Sequence, residues 1–564
     1  MANRFYYWIV RRWAILVCGA MLTVLLVLHI TSLRHKELTY DEATHHYQYG
    51  CRVLEGMPRR VSALNSSAMP FSSLHGVTSE CLAVLAHTMG FSVDKSWNGQ
   101  VKRGRYATIL LSLLLALYMS GWSYELYGRK GGLLSLSLFV FDPNLLAHGQ
   151  LVTADLPAAL MTTMALYHFW RFVKFGGKGR ALLSAVTLGL SQLAKYSCIY
   201  LYPIFLVIAV LYESCRPTSE TANPAPRRRI LQVLRRGSVT TTFFGAVSII
   251  AINLGFVFDG IGTPLSGYAF KDPFFKNLQA TPVLRNIPLP LPVPYLQGLD
   301  LIKYEERMGI GWGNLYMAGK LRLNQHDGTL RGFPGYYFYA ALFKVPIAKQ
   351  VIFLLALLGL LFERDRRTGS LRRDELFLLV PIFVYWVYFN FFFNTQIGIR
   401  YVLPVFALAT VFCGRVLADP VPKWLQFTAL ILTAWVGVST LSYYPHFLSY
   451  FNELVPDRKL AYRHLADSNL DWGGNEWYLA EYTRRHPGVV VDPGNPQAGR
   501  IVVPVNILVG IRYPERYRWL REHFTPVNHI AYSYLVYDVK KERLPQSTPG
   551  TNNQTESFSP PPRN

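Results

Sequence analysis

Phe141-Asp142-Pro143-Asn144-Leu145-Leu146-Ala147-His148-Gly149-Gln150-Leu151-Val152-Thr153-Ala154-Asp155-Leu156-Pro157 is a short polar turn between two apolar runs. It carries acids and a histidine but no lysine or arginine. The flanking runs are near the roughly 20 residues that cross a 30 Å hydrocarbon layer as a helix. Similar runs recur at Ala14–Ile30, Ile109–Ser120, Val351–Phe362 and Phe377–Phe393. Only 16% of the 564 residues are charged and 51% are apolar. Soluble proteins average about 25% charged. The pattern predicts an all-α polytopic membrane protein.

Counting outward from this turn gives about eleven spans. They fall near residues 14–33, 105–125, 131–147, 153–172, 180–195, 198–213, 239–258, 336–362, 376–394, 400–418 and 423–442. The first run is long and no small-residue cleavage site follows it, so it reads as an uncleaved span. The net charge of +23 sits in connections between runs. Arg4, Arg11 and Arg12 precede the first span, and Arg129 with Lys130 follows the second. Arg171, Lys174, Lys178 and Arg180 form the next basic cluster. Arg227, Arg228, Arg229, Arg235 and Arg236 follow, then Arg364, Arg366, Arg367, Arg372 and Arg373. This alternation fits the positive-inside rule with a cytoplasmic N-terminus, and topology accounts for the charge better than nucleic acid.

The expected domains are a membrane body over residues 1–442, with outward loops at 34–104 and 259–335, and a small extracytoplasmic α/β domain over 443–543. Runs Arg500–Val509 and His529–Val539 are rich in β-branched and aromatic residues and read as strands. A tail over 544–564 is rich in Pro, Ser, Asn and Thr and reads as disordered. The six cysteines show no metal-ligand spacing. Cys51 and Cys81 share one outer loop, as a disulfide or as two free thiols.

Three signals carry chemistry. Tyr40-Asp41-Glu42-Ala43-Thr44-His45-His46 follows the first span and suits a base, a metal or a cation site. Its plainer reading is Asp41 capping a short helix. Asp155 edges an apolar run, where an acid costs free energy unless paired or hydrated. It is a functional candidate or a helix cap, with Pro157 in the first turn. Lys195 and Arg400 stand alone at span ends on the same outward face. They are ligands for an anion or chains that snorkel to lipid headgroups. A phosphate leaving group departs as a stable anion, so one carboxylate base plus cations suffices, whereas glycoside hydrolysis needs two carboxyl groups.

These residues carry a family resemblance. The chain resembles the GT-C glycosyltransferases, as a bacterial relative of the protein O-mannosyltransferases. Asp41-Glu42 is similar to that family's first-loop Asp-Glu pair, and Asp142–Asp155 to its second motif. Leu193-Ala194-Lys195-Tyr196, Ile399-Arg400-Tyr401, Tyr450-Phe451-Asn452-Glu453 and Asp467-Ser468-Asn469-Leu470-Asp471-Trp472-Gly473 also look like segments of the bacterial members. The resemblance implies inverting transfer of mannose or another hexose from a polyprenyl phosphate to a protein or glycolipid hydroxyl, outside a bacterial inner membrane. It implies Asp41 as base, Glu42 as its support or an acceptor ligand, and Asp155 on the donor head or a metal. Lys195 and Arg400 are expected on the carrier phosphate, with His45 and His148 as further substrate contacts. A divalent ion is a possible cofactor. One departure is Met69-Pro70-Phe71-Ser72-Ser73-Leu74-His75-Gly76, where many relatives have Pro-Pro-Leu-x-Lys. The rival readings are a transporter or lipid-linked-sugar flippase, and a non-catalytic scaffold.

Overall fold

The computed structural model describes residues 2–60, 67–215, 226–362 and 366–544. The tail expected to be disordered lies almost entirely outside them. The body is helical: α1 (Ala2–Ser32), α2 (Trp97–Val140), α3 (Asp155–Phe175), α4 (Lys178–Ser191), α5 (Leu201–Ser214), α6 (Pro226–Gly255), α7 (Tyr336–Lys344), α8 (Ile347–Phe362), α9 (Arg366–Phe391), α10 (Leu403–Cys413) and α11 (Lys423–Leu441).

Each expected span meets a helical segment, but the segments are uneven. Among the described residues six helices are long and apolar enough to cross a membrane, or seven if α7 and α8 count as one span bent by 115°. The bend falls at Val345-Pro346, where proline lacks the donor a continuous helix needs. The expected spans 105–125 and 131–147 are the two arms of α2. Gly128, at φ 81°, folds one arm back on the other. A side chain on Gly132 would collide with Ser120 and Tyr124 of the first arm, so small residues let the arms close up. α4 has only 14 residues.

Burial sorts the helices. The segment Ile399–Leu417, which includes α10, is 89% buried, whereas Trp13–Ser32 of α1 is 17% buried. α10 packs on α2, α3, α8 and α9. Apolar side chains on α1, α5, α9 and α11, such as Leu16, Leu206, Phe383 and Val438, are exposed. A helix whose apolar face is left outward is suited to lipid rather than water.

The C-terminal region adds the strands. A small hairpin, β1 (Leu315–Met317) with β2 (Lys320–Arg322), precedes a four-stranded sheet of β3 (Val490–Val491), β4 (Gly499–Pro504), β5 (Asn528–Ile530) and β6 (Tyr534–Val539). The sheet order is β3-β4-β6-β5, with β3 parallel to β4 and the other pairs antiparallel. Alternate residues serve two cores. Ile501, Val503, Leu535 and Tyr537 join the main apolar cluster, while Val502, Val536 and Ile530 pack against Tyr478 and Tyr482 of helix Glu476–Arg485. The expected strand 500–509 stops at Pro504, where a helical turn Val505–Leu508 begins. The expected strand 529–539 is a hairpin, turned at Ala531 and Tyr532 with positive φ.

Candidate functional site

Asp41 and Glu42 are neighbours with opposite fates. The chain leaves α1 and enters a one-turn helix Glu42–Tyr47. Asp41 makes no capping bond there. Its carboxylate instead meets Arg400 Nη1 at 3.3 Å and His45 Nδ1 at 3.6 Å, and its side chain is 21% exposed. Glu42 is fully buried. Arg105 grips it at both ends, Nε to Oε1 at 2.8 Å and Nη2 to Oε2 at 2.6 Å. The amides of Val152 and Thr39 donate to it at 3.0 and 2.8 Å. Burial opposes its charge, but Arg105 and these donors outweigh burial and hold the carboxyl below its ordinary range. Glu42 therefore ties the first loop to α2 and to the Asp142–Asp155 turn.

The second motif divides in the same way. Asp142 caps helix Pro143–His148, accepting from the amides of Asn144 and Leu145, both at 2.9 Å. Its other oxygen takes Lys349, a buried lysine of α8. Asp155 starts α3 without capping it. Lys195 Nζ donates to Asp155 Oδ1 at 2.5 Å, and Arg400 Nη1 lies 3.5 Å from Oδ2. The helix N-terminus adds a favourable field for that carboxylate.

Arg400 is the hub. One nitrogen faces both Asp41 and Asp155. Its guanidinium lies 3.9 Å above the Trp472 ring, and its Nε is buried with no hydrogen-bond partner among the described residues. Lys195 Nζ stands 4.5 Å from the Tyr401 ring centroid. Residues 41, 155, 195 and 400, spread over most of the chain, thus meet at one end of the helical body. His45 borders the cluster through Asp41. His148 is buried, with its ring 5.9 Å from that of Trp472, and burial holds its pKa down near 3 despite Asp155. Its Nδ1 is buried with no hydrogen-bond partner among the described residues.

Several participants were not legible as such. Arg105 opens an apolar run, and Lys344 and Lys349 interrupt one; isolated charges in apolar runs are the signal that flags them. Lys344 Nζ is buried and donates to the carbonyls of Leu448 and Asn469 at 2.7 and 2.5 Å. Asp467 adds a carboxyl raised to about 6, by burial first and by the nearby charges of Asp41 and Asp471. His75, in the first-loop segment noted above as a departure, is buried between Ser72 and Thr108 at 3.0 Å each. Cys51 and Cys81 are free thiols. Among the described residues no three His, Cys, Asp or Glu side chains are grouped to hold a metal ion. Arg400 and Lys195 stand against the carboxylates an ion would need, so the donor set does not fit a resident cation.

A sequence profile of the dolichyl-phosphate-mannose-protein mannosyltransferases matches residues 98–223. That stretch is similar to this glycosyltransferase family. It contains the Asp142–Asp155 turn and Lys195, so the resemblance read from the motifs holds there. No curated protein sequence matches the chain. Among solved structures the chain is similar to ArnT from Cupriavidus metallidurans bound to undecaprenyl phosphate, at 12% identity and a TM-score of 0.47, over 93% of this chain and 97% of that one. It is also similar to the apo oligosaccharyltransferase of Archaeoglobus fulgidus, at 13% identity and a TM-score of 0.47, over 85% of this chain. There it spans only 59% of the archaeal protein. Archaeoglobus fulgidus AglB in complex with an inhibitory peptide and a dolichol-phosphate gives 13% identity and a TM-score of 0.45, over 85% of this chain and 58% of that one. At such scores the likeness assigns no residue a role, and the site rests on this chain's own geometry.

Proposed function

We propose that the protein transfers a hexose, mannose or a similar sugar, from a polyprenyl-phosphate carrier to a hydroxyl of a protein or glycolipid. Asp41 takes the proton from the acceptor hydroxyl. The acceptor oxygen forms a bond to the anomeric carbon as the bond from that carbon to the carrier phosphate breaks, with inversion. The electron pair leaves on the phosphate, whose charge Arg400 and Lys195 offset. Asp155 orients both cations, and Glu42 holds the loop that presents Asp41. No step is routed through a metal ion.

The observation that carries this reading is the sharing of one guanidinium by two carboxylates, beside a second cation, at an end of an apolar helical body. The side of the membrane follows from charge. The opposite end holds Lys130, Arg171 and Lys174, and basic clusters favour the cytoplasm. The site then faces outward, in a bacterial inner membrane.

The experiment supplies purified protein with a panel of labelled polyprenyl-phosphate sugars and follows release of carrier phosphate. Asp41→Asn should lower transfer about 10²- to 10⁴-fold, the range of general base catalysis, with insertion and folding intact. Full activity in that variant rejects Asp41 as the base. Movement of the lipid-linked sugar between leaflets, with no carrier phosphate released by the wild type, favours a flippase instead.

A further inference from the structure

The motif Asp467-Ser468-Asn469-Leu470-Asp471-Trp472-Gly473 opens the C-terminal region, yet the proposed chemistry uses none of it directly. Its bonds run in two directions. Toward Arg400, the Ser468 amide donates to the Ile397 carbonyl at 3.2 Å, and the Ser468 hydroxyl donates to the same oxygen. The Ile399 amide donates to Asn469 Oδ1 at 2.9 Å, one residue before Arg400. Gly398 has no room for a side chain, because Ser468 Oγ occupies that space. Trp472 then supports the guanidinium itself at 3.9 Å.

Toward Asp41, the Tyr40 amide donates to the Trp472 carbonyl at 3.3 Å, and Thr39 pairs with Gly473 as an antiparallel bridge. The Glu37 amide donates to the Gly474 carbonyl at 3.0 Å. A side chain on Gly474, at φ 85°, would press on the Glu37 carbonyl at 2.9 Å. Two segments nearly 360 residues apart in sequence are thus hydrogen-bonded to one short strap on either side of the Asp41–Arg400 contact.

The strap is itself anchored. Asn469 Nδ2 donates to Tyr336 Oη of α7 at 2.8 Å. Asn506 accepts from the Asp467 amide at 2.8 Å and donates to the Asp471 carbonyl at 3.0 Å, which fastens it to the sheet region. Asp467 has φ 56°, a left-handed conformation uncommon outside glycine. Such conformations persist where the surroundings over-determine them, and they cluster at functional sites.

We propose that Asp467–Gly474 is a positioning strap that sets Asp41 and Arg400 against each other, which makes the C-terminal domain a required part of the transfer site rather than an appended module. The inference rests on the proposed transfer reaction for its kinetic consequence, and on the bonds above for its physical one. Loosening the strap lets base and phosphate cation drift apart without removing either.

The test uses the full-length protein in detergent or nanodiscs, with Asn469→Ala, Trp472→Ala and the conservative Trp472→Phe. Amide hydrogen exchange is followed in peptides covering residues 37–42 and 397–401, with peptides of α2 as the folding control. Asn469→Ala and Trp472→Ala should speed exchange in both peptides about tenfold, as loss of one or two hydrogen bonds allows, and leave α2 unchanged. Turnover should fall about a hundredfold, the scale of a displacement near 1 Å, and Trp472→Phe should recover most of both. Exchange that rises only in 397–401, or in neither peptide, overturns the strap. So does unchanged turnover with faster exchange. A wild type that transfers no sugar sinks the proposed function alone, since exchange still decides whether the strap ties the two segments.

Discussion

The helical body has a charged network at each end, and the two are built differently. At the end away from the site, Arg415 pairs with fully buried Glu375, Lys174 with Asp374 at 2.6 Å, Arg171 with Glu125 at 3.5 Å and Lys130 with Asp419 at 3.3 Å. Each of these contacts joins one cation to one acid, and together they fasten α2, α3, α9 and the segment after α10. At the site end Arg400 serves Asp41 and Asp155 together, Lys195 also serves Asp155, and Asp41 stays 21% exposed. A cation committed to a single acid has no second partner to give up to a substrate. A cation shared between two acids can exchange one partner for another with little reorganisation. Burial of charge alone therefore does not mark a functional site, as Asp142 with Lys349 shows in the same motif as Asp155. The sharing does.

The largest effect should come from breaking the shared set. Asp155→Asn removes the charge that orients Lys195 and Arg400 and should lower transfer about a hundredfold or more, the scale of losing one preorganised electrostatic contact. The protein should still purify in folded form, because Arg400 keeps Asp41 and Trp472 and Lys195 keeps the Tyr401 ring. Rates of carrier-phosphate release near wild type would dissolve the distinction between the two ends.

Glu375→Gln breaks a closed pair instead. It removes the acid's charge from a buried ion pair, a change that costs about 3–5 kcal/mol in folded proteins. Thermal unfolding in detergent should drop by several degrees, while turnover per folded molecule holds. A variant with normal stability and reduced turnover would reverse the assignment of the two ends.

Much of this contrast was legible in the sequence, for a physical reason. Asp41, Asp155, Lys195 and Arg400 stand at the edges of apolar runs, where a charge is costly and conspicuous, and their common side follows from counting spans. What escaped was direction. Asp41 and Glu42 are adjacent acids, and only the approach of Arg105 from α2 turns one inward and leaves the other at the cluster. The strap was visible as a motif, but its bonds to residues 37–40 and 397–399 join distant segments, and spacing along a chain carries no record of such pairings. The bend between α7 and α8 and the fold-back at Gly128 were hidden inside runs counted simply as spans.

Acid should loosen the site end first. Burial lowers His46, His148 and His446 to about 3 each, from an ordinary value near 6.5. The unfolded chain protonates these rings as pH falls below about 6.5, while the folded chain does not. Their stabilising contribution is complete above that pH and is lost progressively below it. At pH 5 the loss is on the order of 1–2 kcal/mol for each ring. Asp467 and Asp471, both raised to about 6 by burial first, act in the opposite sense, since the folded chain takes up their protons earlier. Three rings outweigh two acids, so the unfolding temperature should be lower at pH 5 than at pH 7. His148→Gln and His446→Gln should flatten the dependence. An unfolding temperature that rises toward pH 5 would mean that the two acids dominate.

The smallest effect tests the comparison at its far edge. Lys130 and Asp419 form an ion pair whose side chains are 45% and 66% exposed. Water screens such a pair and the long lysine chain loses rotamer freedom in making it, so exposed pairs are worth less than about 1 kcal/mol. Lys130→Ala should shift the unfolding temperature barely beyond error and leave turnover untouched. Its position, two residues past the Gly128 fold-back, gives the variant a second use. If the pair, which ties the second arm to Asp419 beyond α10, steadies the fold-back, hydrogen exchange near Gly128 should rise in Lys130→Ala. If the tight packing of Gly132 on Ser120 and Tyr124 does that work, exchange there should hold, and Gly132→Ala should disturb it instead. The glycine contact is buried and the ion pair is not, so packing should win.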